Sequence, residues 1–184
     1  MTGNPFAPPS AIVADVGSAQ VLSSKPPFFA VSLLKLVVLS ICTFGIYELY
    51  WFYKNWQLIK DREGSTISPA LRAVFAVFFC YQCLARIGDF ATPALAKSRL
   101  AAGPLAVGWI LTTLLNRLPG GYGLAALLAV AFLVPVQSRA NQINEALSPG
   151  HDPNSRFTFW NWVLVVCGLI LVPLAVVGTF VAPP

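Results

Sequence analysis

The stretch FTFWNWVLVVCGLILVPLAVVGTFVAPP, residues 157–184, contains no charged residue over 28 positions. Two further stretches without charge, residues 100–116 and 118–138, are 17 and 21 residues long. A helix rises about 1.5 Å per residue, so about 20 apolar residues cross the hydrocarbon core of a bilayer. Because the core of a soluble domain does not need uninterrupted apolar stretches of this length, they predict an integral membrane protein.

The composition of the whole chain supports this class. Of its 184 residues, 57% are hydrophobic and 10% are charged, whereas a soluble domain is about one quarter charged. The net charge of +5 comes from 12 basic and 7 acidic residues. The basic residues flank the apolar stretches, where they meet anionic lipid headgroups instead of nucleic acid. We therefore expect the lipid bilayer as a partner and no nucleic acid.

Five apolar segments predict an all-α fold, a polytopic transmembrane helical bundle with four or five membrane helices. They form an integral membrane helical domain, residues 28–184, with segments at about 28–53, 69–90, 100–118, 122–147 and 157–181. Residues 1–27 contain five prolines and one lysine, which predicts a flexible, Pro-rich polar tail. This tail lacks the basic-then-apolar order of a cleavable signal peptide, so we expect the first apolar segment to stay in the mature protein.

The first segment is interrupted at residues 43–45, Thr-Phe-Gly. Glycine weakens a helix by about 1 kcal/mol relative to alanine, so we expect a kink or break there. Either the segment spans the bilayer with a kink, or it enters, turns back and continues as an interfacial helix. The aromatic stretch YELYWFYKNW, residues 47–56, includes Lys54 and is typical of a membrane interface.

The later segments differ in length and in their connections. The charge-free core of the second is 13 residues long and lies between Arg72 and Arg86, whose long side chains can reach the headgroups. Pro119-Gly120-Gly121 predicts a tight turn, and hence antiparallel neighbours, between the third and fourth segments. If all five segments cross, seven basic residues lie on the N-terminal side and five on the other, which favours a cytoplasmic N-terminus.

Three stretches resemble known bacterial membrane proteins. TFGIYELYWFYKNWQLIK, residues 43–60, resembles the T-x-G-x-Y-x-x-Y-W signature of an uncharacterised bacterial membrane family, the domain of unknown function 4234. FLVPVQSRANQINEAL, residues 132–147, is similar to the later part of such proteins, and residues 4–15 are similar to the Asn-Pro-aromatic start of many proteobacterial multi-pass membrane proteins. The resemblance implies a multi-pass protein of the bacterial inner membrane and carries no activity.

Charged residues inside apolar segments are candidate functional residues, because a charge at the bilayer centre costs about 2.5–3.5 kcal/mol on insertion scales. Arg86 and Asp89 are three positions apart and could form an ion pair within one helix. Glu48 has two interpretations. It could be a proton or cation site in a transport path, or it could lie at the aromatic belt, exposed to water, with Lys35, Arg72 or a headgroup as its partner.

Gln137, Asn141 and Asn144 recur at i, i+4 and i+7 and so share one helix face. This polar stripe could bind a partner helix or a ligand. The structural alternative is that it hydrogen-bonds a neighbouring segment or faces water at the membrane surface.

Cys80 and Cys83 are three residues apart on a predicted helix, so their sulfur atoms could approach each other and exchange thiol and disulfide. A quinone-coupled redox protein of this kind needs a second cysteine pair in an exported loop, whereas Cys42 and Cys167 lie inside apolar segments. In the structural alternative, all four are packing residues. His151, the one histidine, lies beside Asp152 and far from the cysteine pair, so no metal, cofactor or catalytic site is predicted.

These observations predict a non-enzymatic accessory or interaction component of the bacterial inner membrane, with a protein partner or a second copy of the chain. The alternatives are a small transporter or channel subunit that uses Glu48, and a membrane thiol–disulfide redox protein that uses Cys80 and Cys83. The basic residues near the aromatic stretch, Lys54, Lys60 and Arg62, are expected to attract anionic headgroups.

Overall fold

The computed structural model describes residues 25–90, 100–115, 118 and 121–181. Within these ranges the chain forms seven α-helices, one 3-10 helix and no strand. The helices are α1 (Leu33–Cys42), α2 (Ile46–Glu63), α3 (Pro69–Val74), α4 (Ala76–Gly88), α5 (Ala102–Leu115), α6 (Val130–Leu147) and α7 (Phe159–Val181), with the 3-10 helix Gly121–Leu128 before α6. The predicted all-α fold is confirmed for these residues. Of the predicted tail, residues 1–27, the structure describes only residues 25–27. Of the predicted turn at residues 119–121, it describes only residue 121.

Two helices in the described ranges are long and apolar enough to cross a membrane, Leu124–Leu147 and Phe159–Thr179. Three other apolar helices are shorter: Leu33–Cys42, Ala76–Gly88 and Ala102–Leu115. Even the longest of these, with 14 residues, rises only about 21 Å against a hydrocarbon core of about 30 Å. By length and composition, two helices rather than four or five therefore qualify as membrane spans.

The first helix begins later than the sequence analysis predicts. Residues 28–32 are not helical, and Ser32 caps α1 by accepting a hydrogen bond from the Lys35 backbone N–H at 3.3 Å. α1 has 10 residues, which is about 15 Å or half of the hydrocarbon core. By itself α1 is too short to cross. Residues 28–53 do not continue in one direction as a kinked span, because α2 runs back beside the start of the segment, where Asn55 bonds to Phe29 and Asp61 pairs with Lys25.

The predicted break at residues 43–45 is present. Phe44 and Gly45 have φ angles of 51° and 85°, in the left-handed region that glycine tolerates. The Thr43 hydroxyl donates to the Leu39 carbonyl oxygen at 2.7 Å and accepts from the Tyr47 backbone N–H at 3.0 Å. These bonds connect the end of α1 to the first turn of α2, and the chain turns back here.

Two ion pairs show that the chain returns to one end of the helical bundle. Lys25 Nζ lies 3.2 Å from Asp61 Oδ2, and Arg86 Nε lies 3.1 Å from Glu63 Oε1. If every predicted segment crossed the bilayer, the two members of each pair would lie on opposite sides. The division of basic residues into seven and five is therefore wrong. We call this region, formed by Lys25, residues 60–63 and Arg86, the charged end.

The second predicted segment, residues 69–90, is two helices instead of one. α3 ends at Phe75, whose ψ angle of 37° departs from helical geometry, and α4 begins at the next residue. Val74 and Ala76 line a cavity with Glu48, near the start of α2, whereas Arg86 pairs with Glu63 at the end of α2. The segment therefore bends at Phe75, and its last turn returns to the charged end.

The turns between helices meet at the opposite end of the bundle. Residues from several of them line one cavity of about 390 Å³: Gly45, Val74, Ala76, Thr113, Ala126 and Ala129. We call residues 43–49, 74–77, 113–115 and 121–129 the apolar end. Among these residues Glu48 is the one charged side chain, and Ile46 and Val74 are more than two thirds exposed. Charge and apolar surface are thus separated along the bundle.

Small residues allow two close helix contacts. A side chain on Gly108 of α5 would lie 2.2 Å from the Phe132 ring of α6, and one on Gly168 of α7 would lie 2.4 Å from Cys42 Cβ of α1. Both distances are too short for real carbon atoms, so each pair of helices packs closely only because glycine is present. α7 packs mainly on α1, and most of its apolar side chains remain exposed.

Candidate functional site

Polar side chains surround a segment without helix or strand, residues 28–31, which we call the extended segment. Pro26-Pro27 precedes it, and proline keeps the preceding residue out of the helical region and supplies no N–H group. Phe28 and Val31 are fully buried. A buried extended segment outside a sheet needs side-chain partners for its backbone groups, because an unpaired buried N–H or C=O is costly.

The stripe on α6 supplies four of these bonds. Asn144 binds residue 28 twice, since its Oδ1 accepts from the backbone N–H at 3.0 Å and its Nδ2 donates to the carbonyl oxygen at 2.9 Å. Gln137 Nε2 donates to the Phe29 carbonyl oxygen at 2.9 Å, and Asn141 Nδ2 donates to the Val31 carbonyl oxygen at 2.9 Å. The three side chains therefore bind a neighbouring segment of the same chain.

Two asparagines that the sequence analysis did not single out complete the set. Asn55 Oδ1 accepts from the Phe29 backbone N–H at 3.1 Å, and Asn154 Nδ2 donates to the Ala30 carbonyl oxygen at 3.1 Å. Asn55 is fully buried in α2, and an asparagine within an aromatic helix was the signal that could have identified it. We call Asn55, Gln137, Asn141, Asn144 and Asn154 the amide cluster.

The amide cluster also connects α2 to α6. The Trp51 indole N–H donates to Gln137 Oε1, and Gln137 Nε2 donates to Asn141 Oδ1 at 2.7 Å. Asn55 Nδ2 donates to the Trp51 carbonyl oxygen at 3.0 Å. Carboxamides do not titrate near neutral pH and are not nucleophiles. The arrangement is therefore suited to holding a peptide segment in place, and it offers no general acid or base.

Glu48 is buried, which contradicts its predicted exposure to water at the aromatic belt. The residue is 3% exposed, and its Oε2 accepts a hydrogen bond from the Trp109 indole N–H at 2.6 Å. Among the described residues its hydrogen-bond partner is thus an indole of α5, and not Lys35 or Arg72. Charged-residue patterns alone did not reveal Trp109, because the contact joins residues 61 positions apart.

The predicted ion pair between Arg86 and Asp89 is also wrong. Arg86 pairs with Glu63 of α2 and donates to the Gln82 carbonyl oxygen at 3.3 Å, whereas Asp89 is exposed at the end of α4. The guanidinium groups of Arg72 and Arg86 lie 4.4 and 5.4 Å from the Trp56 ring centre. A cation over an indole ring is attracted to its electron-rich face, so both arginines are directed towards α2.

Of the other predicted basic residues, Lys60 and Arg62 lie at the charged end, whereas Lys54 lies near the middle of α2. Lys54 lies 5.7 Å from the Tyr50 ring centre. Arg62 lies 4.7 Å from the Phe28 ring centre and donates to the Pro27 carbonyl oxygen at 3.1 Å. Burial lowers the pKa of Arg62, Glu63 opposes this effect, and Arg86 adds to it. Arg62 therefore binds the start of the extended segment as well as lying at the surface.

The four cysteines differ in exposure. Cys80 and Cys83 are fully buried, Cys42 is half-buried and Cys167 is exposed. Thiol–disulfide exchange requires a thiolate that its partner can reach, so the burial of Cys80 and Cys83 favours the packing interpretation. His151 lies 3.9 Å from Glu145 and 3.0 Å from the Ser148 carbonyl oxygen. In the described residues, no group of three His, Cys, Asp or Glu side chains could hold a metal ion.

In the part of the chain that the structure describes, these features define an all-helical protein with two candidate membrane helices and an internal amide cluster. The family model described as Domain of unknown function (DUF4234) matches residues 31–176, and the chain belongs to this family. The resemblance based on residues 43–60 is thereby confirmed. The match extends from the extended segment through most of α7. No curated protein and no solved structure matches the chain.

Proposed function

We propose that the chain is a multi-pass protein of the bacterial inner membrane and a non-enzymatic accessory or interaction component. The separation of charge and apolar surface along the bundle carries this proposal. Ion-paired and basic residues collect at the charged end, whereas α7 and the apolar end expose large apolar side chains. Exposing such an apolar surface to water costs free energy, whereas lipid tails solvate it.

The same arrangement supports an orientation. Lys25, Lys60, Arg62 and Arg86 lie at the charged end, and basic residues favour the cytoplasmic side of a membrane. The apolar end then enters the hydrocarbon core, and α7 crosses it. The multi-pass proposal is supported by α6 and α7, the two helices long and apolar enough to cross, whereas the three shorter apolar helices enter the core in helix pairs that turn back at the apolar end.

The amide cluster supports the non-enzymatic role. Its polar side chains are occupied by the backbone of residues 28–31 and by one another, so they fix the fold of the polar interior. The exposed face of α7 and the charged end are the surfaces left for a protein partner or a second copy of the chain.

Crosslinking in native membranes tests this proposal. A short amine-reactive crosslinker, which uses lysines at the charged end, is expected to trap the chain with a defined protein or with a second copy. Lys60→Gln should weaken trapping through the charged end, and the matched change Lys54→Gln, near Tyr50, serves as a control. Recovery of monomer and lipid alone would contradict the accessory role.

A small transporter or channel subunit is the second candidate, and the position of Glu48 favours it. Its buried carboxylate lines the 390 Å³ cavity at the apolar end together with Trp109 and Thr113. A carboxylate in such a place is a typical proton or cation site. Glu48→Gln keeps an acceptor for the Trp109 indole but removes the charge. Unchanged ion flux in vesicles that contain this variant would remove the transport candidate.

A further inference from the structure

A groove of about 590 Å³ lies between α1, the first turns of α2 and α7. Its volume falls within the range of about 300–1,000 Å³ that is typical of small-molecule sites. α1 forms its floor, with Cys42 beside Gly168 of α7. Tyr47 and Tyr50 line one wall, and Leu164 and Leu171 line the other.

One end of the groove is cationic. Lys35 is 3% exposed, and its ammonium group donates to Asn154 Oδ1 and to the Arg156 carbonyl oxygen, both at 2.8 Å. Asn161, with its amide oxygen turned towards Lys35, accepts at 3.0 Å. All three acceptors are uncharged, so they hold the ammonium group in place without neutralising it. Asp152 attracts the Lys35 ammonium group electrostatically, but only from a longer distance.

The other end of the groove is apolar and open. Phe44 and Ile46 lie at its mouth, and Leu164, Cys167 and Leu171 extend it along α7. Each of these five side chains is exposed. The groove is therefore continuous with the apolar surface that the proposed function places in lipid. A cation beside polar side chains, followed by an apolar channel, matches the order of headgroup and acyl chain in an amphiphile.

We infer that this groove binds one anionic phospholipid, with its headgroup beside Lys35 and an acyl chain along Leu164 and Leu171. The inference rests on the proposed membrane location. The buried positive charge selects for a negative headgroup, and Thr158 and Asn161 supply further polar groups beside it.

Photo-crosslinking in lipid nanodiscs tests this site in the full chain. The probes are phosphatidylglycerol and phosphatidylcholine, each with a diazirine in the acyl chain, and peptide mass spectrometry locates the labelled residues. We expect labelling at the groove to be about fivefold stronger with phosphatidylglycerol, the change that one basic group contributes at an anionic membrane. Lys35→Gln should abolish this preference, and Lys60→Gln, at the charged end, should retain it.

A second pair of variants, at the apolar end of the groove, tests the same site without changing Lys35. It gives a result even if Lys35→Gln does not fold. Leu171→Trp should fill the apolar channel and remove groove labelling, whereas Ile170→Trp, on the outer side of α7, should leave it unchanged. Equal labelling by both lipids, unaffected by Leu171→Trp, would overturn the site. Labelling of the outer face of α7 by both lipids would still support the membrane location, so failure of the site and failure of the proposed function are distinguishable.

Discussion

At the scale of single residues, the amide cluster shows how a buried segment without regular structure is stabilised. Residues 28–31 have no helix or sheet partner. Carboxamide side chains instead accept from the N–H groups of Phe28 and Phe29 and donate to all four carbonyl oxygens of the segment. A carboxamide is suited to this role because it donates and accepts at once without a charge. Asn144 uses both functions on the same residue, so it is the member of the cluster whose loss should matter most.

We predict that Asn144→Ala lowers the free energy of unfolding by about 2–5 kcal/mol. The change leaves the N–H and C=O groups of Phe28 buried without partners, and each such group costs about 1–3 kcal/mol. Thermal unfolding in detergent measures the loss. Gln142→Ala, on the exposed side of the same helix, is the matched control and should change stability by less than about 0.5 kcal/mol. Equal midpoints for the two variants would contradict the role of Asn144.

The thiols give a second prediction at this scale. In the folded protein in detergent, a small apolar maleimide that enters the micelle should modify Cys167 faster than Cys80 and Cys83, because the latter two are fully buried. After denaturation in sodium dodecyl sulfate all of them should react. Mass spectrometry of the labelled peptides separates the sites. Rapid modification of Cys80 or Cys83 in the folded protein would contradict the packing interpretation and support the redox alternative.

At the scale of secondary-structure elements, close packing depends on a few positions without a side chain. Gly168 lets α7 approach the backbone of α1, and Gly108 accommodates the Phe132 ring. Short helices such as α1 gain little stability from their own hydrogen bonds, since isolated helices below about 12–15 residues are marginal. α1 therefore depends on the capping bonds at its two ends and on its contacts with α6 and α7.

Gly168→Ala tests this dependence. The added Cβ would lie 2.4 Å from Cys42 Cβ, so α1 and α7 must move apart, and we expect a loss of about 1–3 kcal/mol. Gly178→Ala, on the same helix, meets nothing within 4 Å and should leave stability unchanged or raise it by up to about 1 kcal/mol. The comparison uses thermal unfolding in detergent. A stable Gly168→Ala variant would show that the two helices are not in close contact.

At the scale of the whole molecule, the chain returns repeatedly to one end. Lys25 pairs with Asp61, and Leu147 lines a cavity with Asp61 and Arg62. The loops that follow α2 and α6 therefore lie at the same end, although five uninterrupted crossings would separate them. This arrangement gathers the basic residues of the charged end on one side.

Reporter fusions test this geometry. Fusions after Gly64 and after Gly150 should report the same compartment, and the positive-inside tendency predicts the cytoplasm for both. Five full crossings predict opposite compartments instead. A cysteine introduced at Ser65 can also be labelled from each side of the spheroplast membrane. This labelling is an independent measurement of the compartment in which residue 65 lies. Opposite results at the two positions would contradict the arrangement of helices described above.

The sequence by itself determined the all-α class, the break at residues 43–45, the last candidate membrane helix and the family. These follow from local properties: the length of apolar stretches, the conformational freedom of glycine, and a short motif read along the chain. The face shared by Gln137, Asn141 and Asn144 also follows from helical spacing alone.

Only the tertiary structure decided what those side chains contact. The extended segment at residues 28–31, the bend at Phe75, the Trp109 partner of Glu48 and the pairing of Arg86 with Glu63 each depend on residues distant in sequence. The physical reason is that a hydrogen bond or an ion pair is chosen by proximity in space, whereas composition and periodicity describe only neighbours along one helix. Burial of Glu48 likewise involves the Trp109 side chain of α5, which contacts Glu48 and Phe52 of α2 and which no local pattern records.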